Sequence, residues 1–175
     1  MSDAEGAVDA LLEDAHLAAP YQIAGLVARH AATLGANDAL VYLVDLQQRV
    51  LVPFLDPGGP GIGRQVEPLS VDATLPGRAF QHVDVLTEKA ADGRIRVWVP
   101  LLDGIERLGV LAVTVDAAVA PEIATGLVGA RLRRFATLVA EVITTKTMYG
   151  TPSCGCAGRP EWAWPPRCSG LCCRR

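Results

Sequence analysis

The sequence predicts an α+β domain, a central antiparallel sheet of about six strands flanked by N- and C-terminal helices. Three observations predict it: the long helical patterns lie toward the two ends of the chain, the middle is a series of short β-branched and aromatic segments punctuated by turn residues, and the Asp103-Gly104 turn joins two of those segments directly. With 175 residues the chain has room for one core, and half of its residues are apolar against a fifth charged.

The first helical pattern runs from Tyr21 through Ile23, Leu26, Val27, Ala31 and Leu34, and Gly35 followed by Asn37 supplies its stop. The period then changes to that of strands. Ala39 to Asp45 and Arg49 to Leu55 flank the short connection Leu46-Gln47-Gln48, which reads as a hairpin. Asp56 to Gly63, DPGGPGIG, is loop by its glycine and proline density. It is not a phosphate-binding loop, because Gly63 is followed by Arg64-Gln65-Val66 rather than by the Lys-Ser/Thr pair that opens a helix on the phosphates. Gln65 to Val71 reads as a third strand, Thr74 to His82 as a short helix with Thr74 near its start, and Val83 to Glu88 as a fourth strand. After the polar turn Ala90 to Gly93 come the strong strand Arg94 to Leu102 and, across Asp103-Gly104, its antiparallel partner Ile105 to Val115. Pro121-Glu122 opens a last helix to about Met148. Its apolar residues Val128, Leu132, Phe135, Val139 and Val142 step by four and three, the spacing of a coiled-coil seam, and predict a homodimer made through the helices.

Charge and polarity exclude several function classes. A net charge of -3 offers no general attraction to polyphosphate, and the one basic cluster, Arg131, Arg133 and Arg134, reads as the solvated face of that last helix, so no nucleic-acid partner is expected. No apolar run approaches the roughly 18 residues of a membrane span, and the acidic N-terminus lacks the basic start of a secretion signal. No membrane partner and a cytoplasmic location are therefore expected. Asp84, Glu88 and Glu106 are isolated acids with no partnered base, nucleophile or metal cluster, which predicts a chain without catalytic residues. Of the three histidines, His16, His30 and His82, His30 lies on the Leu26 and Leu34 face and reads as a satisfied core residue, and His82 ends the short helix. No cofactor or metal is expected in the chain.

The hairpin VWVPLLDGIERLGVLAV (Val97 to Val113), preceded by TLPGRAFQ (Thr74 to Gln81), resembles a GAF domain over about Pro20 to Thr145. More narrowly it is similar to the GAF domains that precede sporulation-type (PPM-type) metal-dependent protein serine/threonine phosphatases of actinobacteria, where a helix ending like TKTMYG (Thr145 to Gly150) leads into a linker. The resemblance implies a regulatory domain responding to a small molecule or a protein, dimeric through its helices, with Phe54, Leu75, Phe80 and Trp98 lining a ligand pocket; read as residues alone, the four are equally ordinary core. The intact parent would be a phosphatase using Mn or Mg on a catalytic domain missing from this chain. No NKFDE-like string supports cyclic-nucleotide binding. No cysteine precedes Cys154, which removes a thioether-linked bilin, a thiol switch and the cysteine nucleophile of GAF-fold methionine sulfoxide reductases. The alternative is a stand-alone dimeric small-molecule-binding protein with no phosphatase partner.

Domain organisation follows as a helical lead over 1–19, the GAF-like domain over 20–148, and a tail over 149–175 holding all five cysteines and two of three tryptophans. The spacing in the tail fits zinc poorly, and a cytoplasmic location disfavours disulfides. A frame change explains the composition instead. Cysteine and tryptophan codons both begin TG, so a frame starting one base earlier turns Cys154, Cys156, Trp162, Trp164, Cys168, Cys172 and Cys173 into Leu, Met or Val. That frame can read like the linker of the phosphatase family, so the tail is expected to be a disordered frameshift product, a genuine extension being the alternative.

Overall fold

In the computed structural model, which describes residues 3–56 and 66–149, one antiparallel sheet organises the chain. Its strands are β1 (Asp38–Val44), β2 (Val50–Phe54), β3 (Leu69–Ser70), β4 (Leu86–Lys89), β5 (Ile95–Asp103) and β6 (Glu106–Val115). They are ordered β3-β2-β1-β6-β5-β4, with all neighbours antiparallel. The long β5–β6 hairpin turns at Asp103-Gly104 and sits at the centre, with β1 against β6 in register Asp38↔Thr114 through Leu43↔Gly109. Gly109 is required there, since a Cβ would stand 1.9 Å from the Tyr42 carbonyl oxygen of β1.

Alternation along the strands assigns side chains to two faces. Val41, Val97, Val99, Leu111 and Val113 point to one face, which is covered by α1 (Asp3–Leu17), α2 (Ile23–Thr33) and α5 (Leu127–Tyr149). Leu11, Ile23, Val27, Phe135 and Val139 come down from those helices and are buried. Tyr42, Leu51, Trp98, Val110 and Ala112 point to the other face, where α3 (Leu75–His82) brings Ala79 and Phe80. Thr74 fixes the start of α3: its Oγ1 accepts from the Gly77 amide at 3.2 Å and donates to the Ser70 carbonyl at 2.5 Å.

The sequence expectations need four corrections. The third strand is two residues long rather than reaching from Gln65 to Val71. The fourth begins at Leu86, because Val83 caps α3 in the left-handed region (φ 58°) and the Asp84 amide still bonds the Ala79 carbonyl. The last helix is two helices, α4 (Ala120–Thr125) and α5, parted at Gly126, whose extended backbone (φ −97°, ψ −175°) leaves the helical region. Most consequentially, the stripe Leu132, Phe135, Val139 and Val142 faces its own chain. All four are buried at 9% exposure or less, and Val128 packs at the edge of the same core. Four-and-three spacing suits a helix lying on a sheet as well as one lying on a second helix, and here the sheet takes it.

The helical lead packs into this core too. Ala7, Leu11 and Ala15 of α1 are buried, and Lys146 Nζ of α5 donates to the His16 carbonyl at 2.9 Å. Among the described residues no helix is long and apolar enough to cross a membrane. The loop at 57–65 and the cysteine-rich tail lie outside the described residues.

Candidate ligand-binding site

The α3 face is covered by one short helix where the opposite face is covered by three. A cavity of about 360 Å³ opens over the sheet beside Trp98, between β1, β5, β6 and the segment that leads into β3. Strand alternation builds it. Leu40 and Tyr42 on β1, Arg96 and Trp98 on β5, and Ala112 and Thr114 on β6 share one face, and the registers Arg96↔Thr114↔Asp38 and Trp98↔Ala112↔Leu40 place them in two cross-strand rows. Val66, Glu67 and Leu69 close one side.

The aromatic part of the site is held rigidly. Tyr42 and Trp98 stand with ring centroids 5.9 Å apart at 57°, a tilted pair of the kind that rings prefer to a flat sandwich. The indole Nε1 of Trp98 donates to Glu88 Oε1 at 3.1 Å, from the edge strand β4. The guanidinium of Arg96 lies over the same indole, 5.9 Å from its centroid. On α3, Phe80 is 2% exposed and carries the Arg107 guanidinium 5.4 Å above its ring, while Arg107 also donates to the Gln81 carbonyl at 2.9 Å and so ties the end of α3 to β6.

Of the four pocket residues expected from sequence, the structure brings Leu75, Phe80 and Trp98 into one cluster on the α3 face. Phe54 is on the opposite face: it pairs with Val41 and packs against the helical core. Sequence reasoning missed Leu40, Tyr42, Arg96, Ala112 and Thr114. The available signal was a charged residue at Arg96, two positions before Trp98 inside a strong strand, since positions two apart share a face.

The other candidates are placed plainly. His30 is 7% exposed with Nε2 2.9 Å from Asp14 Oδ2, a core histidine with a carboxylate partner. His82 is exposed at the end of α3, Asp84 and Glu106 are exposed, and Arg133 and Arg134 face outward on α5 while Arg131 is half-buried. A larger open groove of about 670 Å³ runs between α1, α2 and the start of β1. Its charged groups serve one another, with Asp14 meeting both His30 and Arg29, the latter at 3.5 Å. Among the described residues no group of three or more His, Cys, Asp or Glu side chains is placed to hold a metal ion.

The sequence matches no protein-family model and none of the curated proteins. Solved structures do match. The GAF domain of a phosphoenolpyruvate-protein phosphotransferase from Coxiella burnetii superposes with a TM-score of 0.67 at 14% identity, over 85% of this chain and 96% of that one. The fold is that of a GAF domain. The GAF-B domain of DevS from Mycobacterium smegmatis matches at 0.55 and 21% identity, over 74% of this chain and 96% of that one. Free methionine-R-sulfoxide reductase from Neisseria meningitidis, solved with its substrate, matches at 0.58 and 16%, over 83% and 90%. The fold therefore occurs in a sulfoxide reductase as well as in domains of a phosphotransferase and of DevS, and the likeness fixes architecture alone.

Proposed function

We propose that the chain is a non-catalytic GAF-type regulatory domain that binds a small molecule in the cavity on its α3 face. The observation that supports this most directly is the cavity itself: a concave space over the strands in which the aromatic Tyr42 and Trp98 stand beside the polar Asp38, Glu67, Arg96 and Thr114. The cysteine-nucleophile reading has no support, because the first cysteine of the chain is Cys154 in the tail. The test is a thermal-shift screen of metabolites on the full chain and on Ala112→Met, which extends a side chain into the cavity from the floor strand. At least one compound is expected to raise the melting temperature of the parent and not of the variant. A response surviving equally in both would remove the cavity from the function.

The finer readings rest on the sequence. A cytoplasmic regulatory part of a metal-dependent serine/threonine phosphatase is supported by the resemblance around Val97 to Val113 and Thr145 to Gly150, and the codon argument supports a lost base near codon 151. Reading the genomic DNA across codons 145 to 180 and the following few hundred bases tests both; a continuous stop with no phosphatase frame beyond it favours the stand-alone binding protein. Dimerisation through helices would use faces other than the buried stripe of α5. The exposed Leu12 and Leu17 of α1 are the apolar positions at hand, and light scattering on the full chain returning only monomer at high concentration would rule it out.

A further inference from the structure

The cavity carries a specific polar signature at one end. Cross-strand registers set Glu88, Arg96, Thr114 and Asp38 in a single row over β4, β5, β6 and β1. The acid opposite Arg96 in that row is Glu88, the natural partner for an ion pair. Glu88 instead accepts from the Trp98 indole at 3.1 Å, and no ion pair joins the two. The Arg96 guanidinium lies over the indole face, half-buried, with no acceptor for its N–H groups among the described residues. Beside it Thr114 is 6% exposed and lines the cavity. A guanidinium and a hydroxyl on one wall of the cavity offer two donors to an acceptor on a ligand.

We propose that this cavity takes a small carboxylate with a planar apolar body, the carboxylate accepting from Arg96 and Thr114 and the body lying against Trp98 and Tyr42. The inference rests on the reading of the cavity as a ligand site and adds its chemical class. A guanidinium presents its donors as a planar fork that matches both oxygens of a carboxylate. Two aromatic walls at 57° form a corner suited to a flat group laid on one ring and edged by the other. The flanking acids select among anions. Asp38, which already has an interaction of its own, Glu67 on the cavity rim and Glu88 beside Trp98 surround one guanidinium, so their charge opposes every anion and opposes multiply charged phosphates more than a monocarboxylate held directly by Arg96. The volume, about 360 Å³, lies at the low end of small-molecule sites.

The experiment uses the full chain carrying Trp162→Phe and Trp164→Phe, so that Trp98 is the sole indole and its fluorescence reports the cavity. The probes are 3-phenylpropionate, its neutral isostere 3-phenylpropionamide, L-phenylalanine and 3-phenylpropylamine. The acid is expected to bind saturably and at least about tenfold tighter than the amide. Arg96→Gln is expected to abolish that preference while leaving the amide unchanged, and Thr114→Val to reduce it, with circular dichroism confirming that each variant folds. Phenylalanine binding as tightly as the acid or tighter supports the class and adds an ammonium facing Asp38 or Glu67. Equal binding of acid and amide, preference for the amine, or an unchanged acid preference in both variants overturns the proposal. If no probe binds while compounds from the metabolite screen still depend on Ala112, the carboxylate class falls and the ligand site stands. If Ala112→Met leaves every response unaltered, both fall.

Discussion

The two faces of the sheet are built from the same strands and the same alternation, yet they differ in kind. The helical face is closed by three helices, and its interior of Leu11, Ile23, Val27, Phe135 and Val139 holds apolar side chains at 0–1% exposure. The α3 face has one helix of eight residues, a smaller apolar cluster, and a cavity into which a buried hydroxyl and a guanidinium open. The packed interior under the helices gives stability and leaves space only at its rim, in the groove between α1, α2 and β1, since interiors reach crystal-like density with few voids. A layer left partly open loses that packing energy and gains a concave surface whose polar groups are positioned before any ligand arrives. The fold thus separates the two tasks across a sheet one residue thick.

The largest expected break lies on the helical face. Phe135→Ala removes a ring at 0% exposure from the centre of that layer and is expected to destabilise by about 3–5 kcal/mol, read as a lowered denaturant midpoint with unchanged slope. Ligand response at temperatures where the variant is folded should persist, because none of the cavity's apolar or aromatic residues belongs to that core cluster. A loss of response without loss of stability would collapse the distinction between the faces.

A smaller effect is expected on the α3 face. Gly77 lies in the first turn of α3, where a Cβ would stand 1.9 Å from the Val71 carbonyl oxygen, so Gly77→Ala must push the helix away from the turn that joins it to β3. Overpacking of this kind costs about 1–3 kcal/mol. Unlike Phe135→Ala, it should weaken ligand response along with stability, measured by titrating a compound found in the thermal-shift screen.

The smallest effect belongs to a site on neither face. Asp92, in the turn before β5, has its carboxyl held below the ordinary value chiefly by the Arg94 side chain, which donates at 2.7 Å, and by the Arg94 amide at 3.0 Å. A carboxyl depressed in the folded state adds stability that is present above its unfolded pKa of about 3.9 and is lost as pH falls through the folded value. Asp92→Asn should therefore approach the parent as pH falls below the folded value and lie slightly below it at pH 7, and the exposed position keeps that gap small. A gap at pH 7 comparable to that of Gly77→Ala would show that the β4–β5 turn contributes more than a solvated surface pair.

Much of the architecture was legible in the residues. The β5–β6 hairpin was readable from Asp103-Gly104 between two alternating apolar runs, and α3 from Thr74 ahead of Leu75-Pro76, because caps and turns depend on neighbours in the chain. Of the four residues expected to line a pocket, Trp98 alone lines the cavity, while Leu75 and Phe80 pack in the apolar cluster beside it. Phe54 was misplaced because its face depends on the register Val41↔Phe54 and on β1 lying beside β6 rather than beside β5. The stripe on α5 was misassigned to a partner for a related reason: a periodic apolar face announces that it will be covered without saying by what.

By itself, then, the sequence determined which segments extend, which coil and where the chain turns, for these follow from local sterics, capping and short-range periodicity. It also determined that no cysteine chemistry operates before Cys154. Only the tertiary structure decided that Tyr42 of β1 meets Arg96, Trp98 and Thr114 of the distant β5–β6 hairpin at one cavity while Glu88 turns away from Arg96 to the indole. Strand order and register are set by the sum of many weak long-range contacts, and no short stretch of residues encodes that sum.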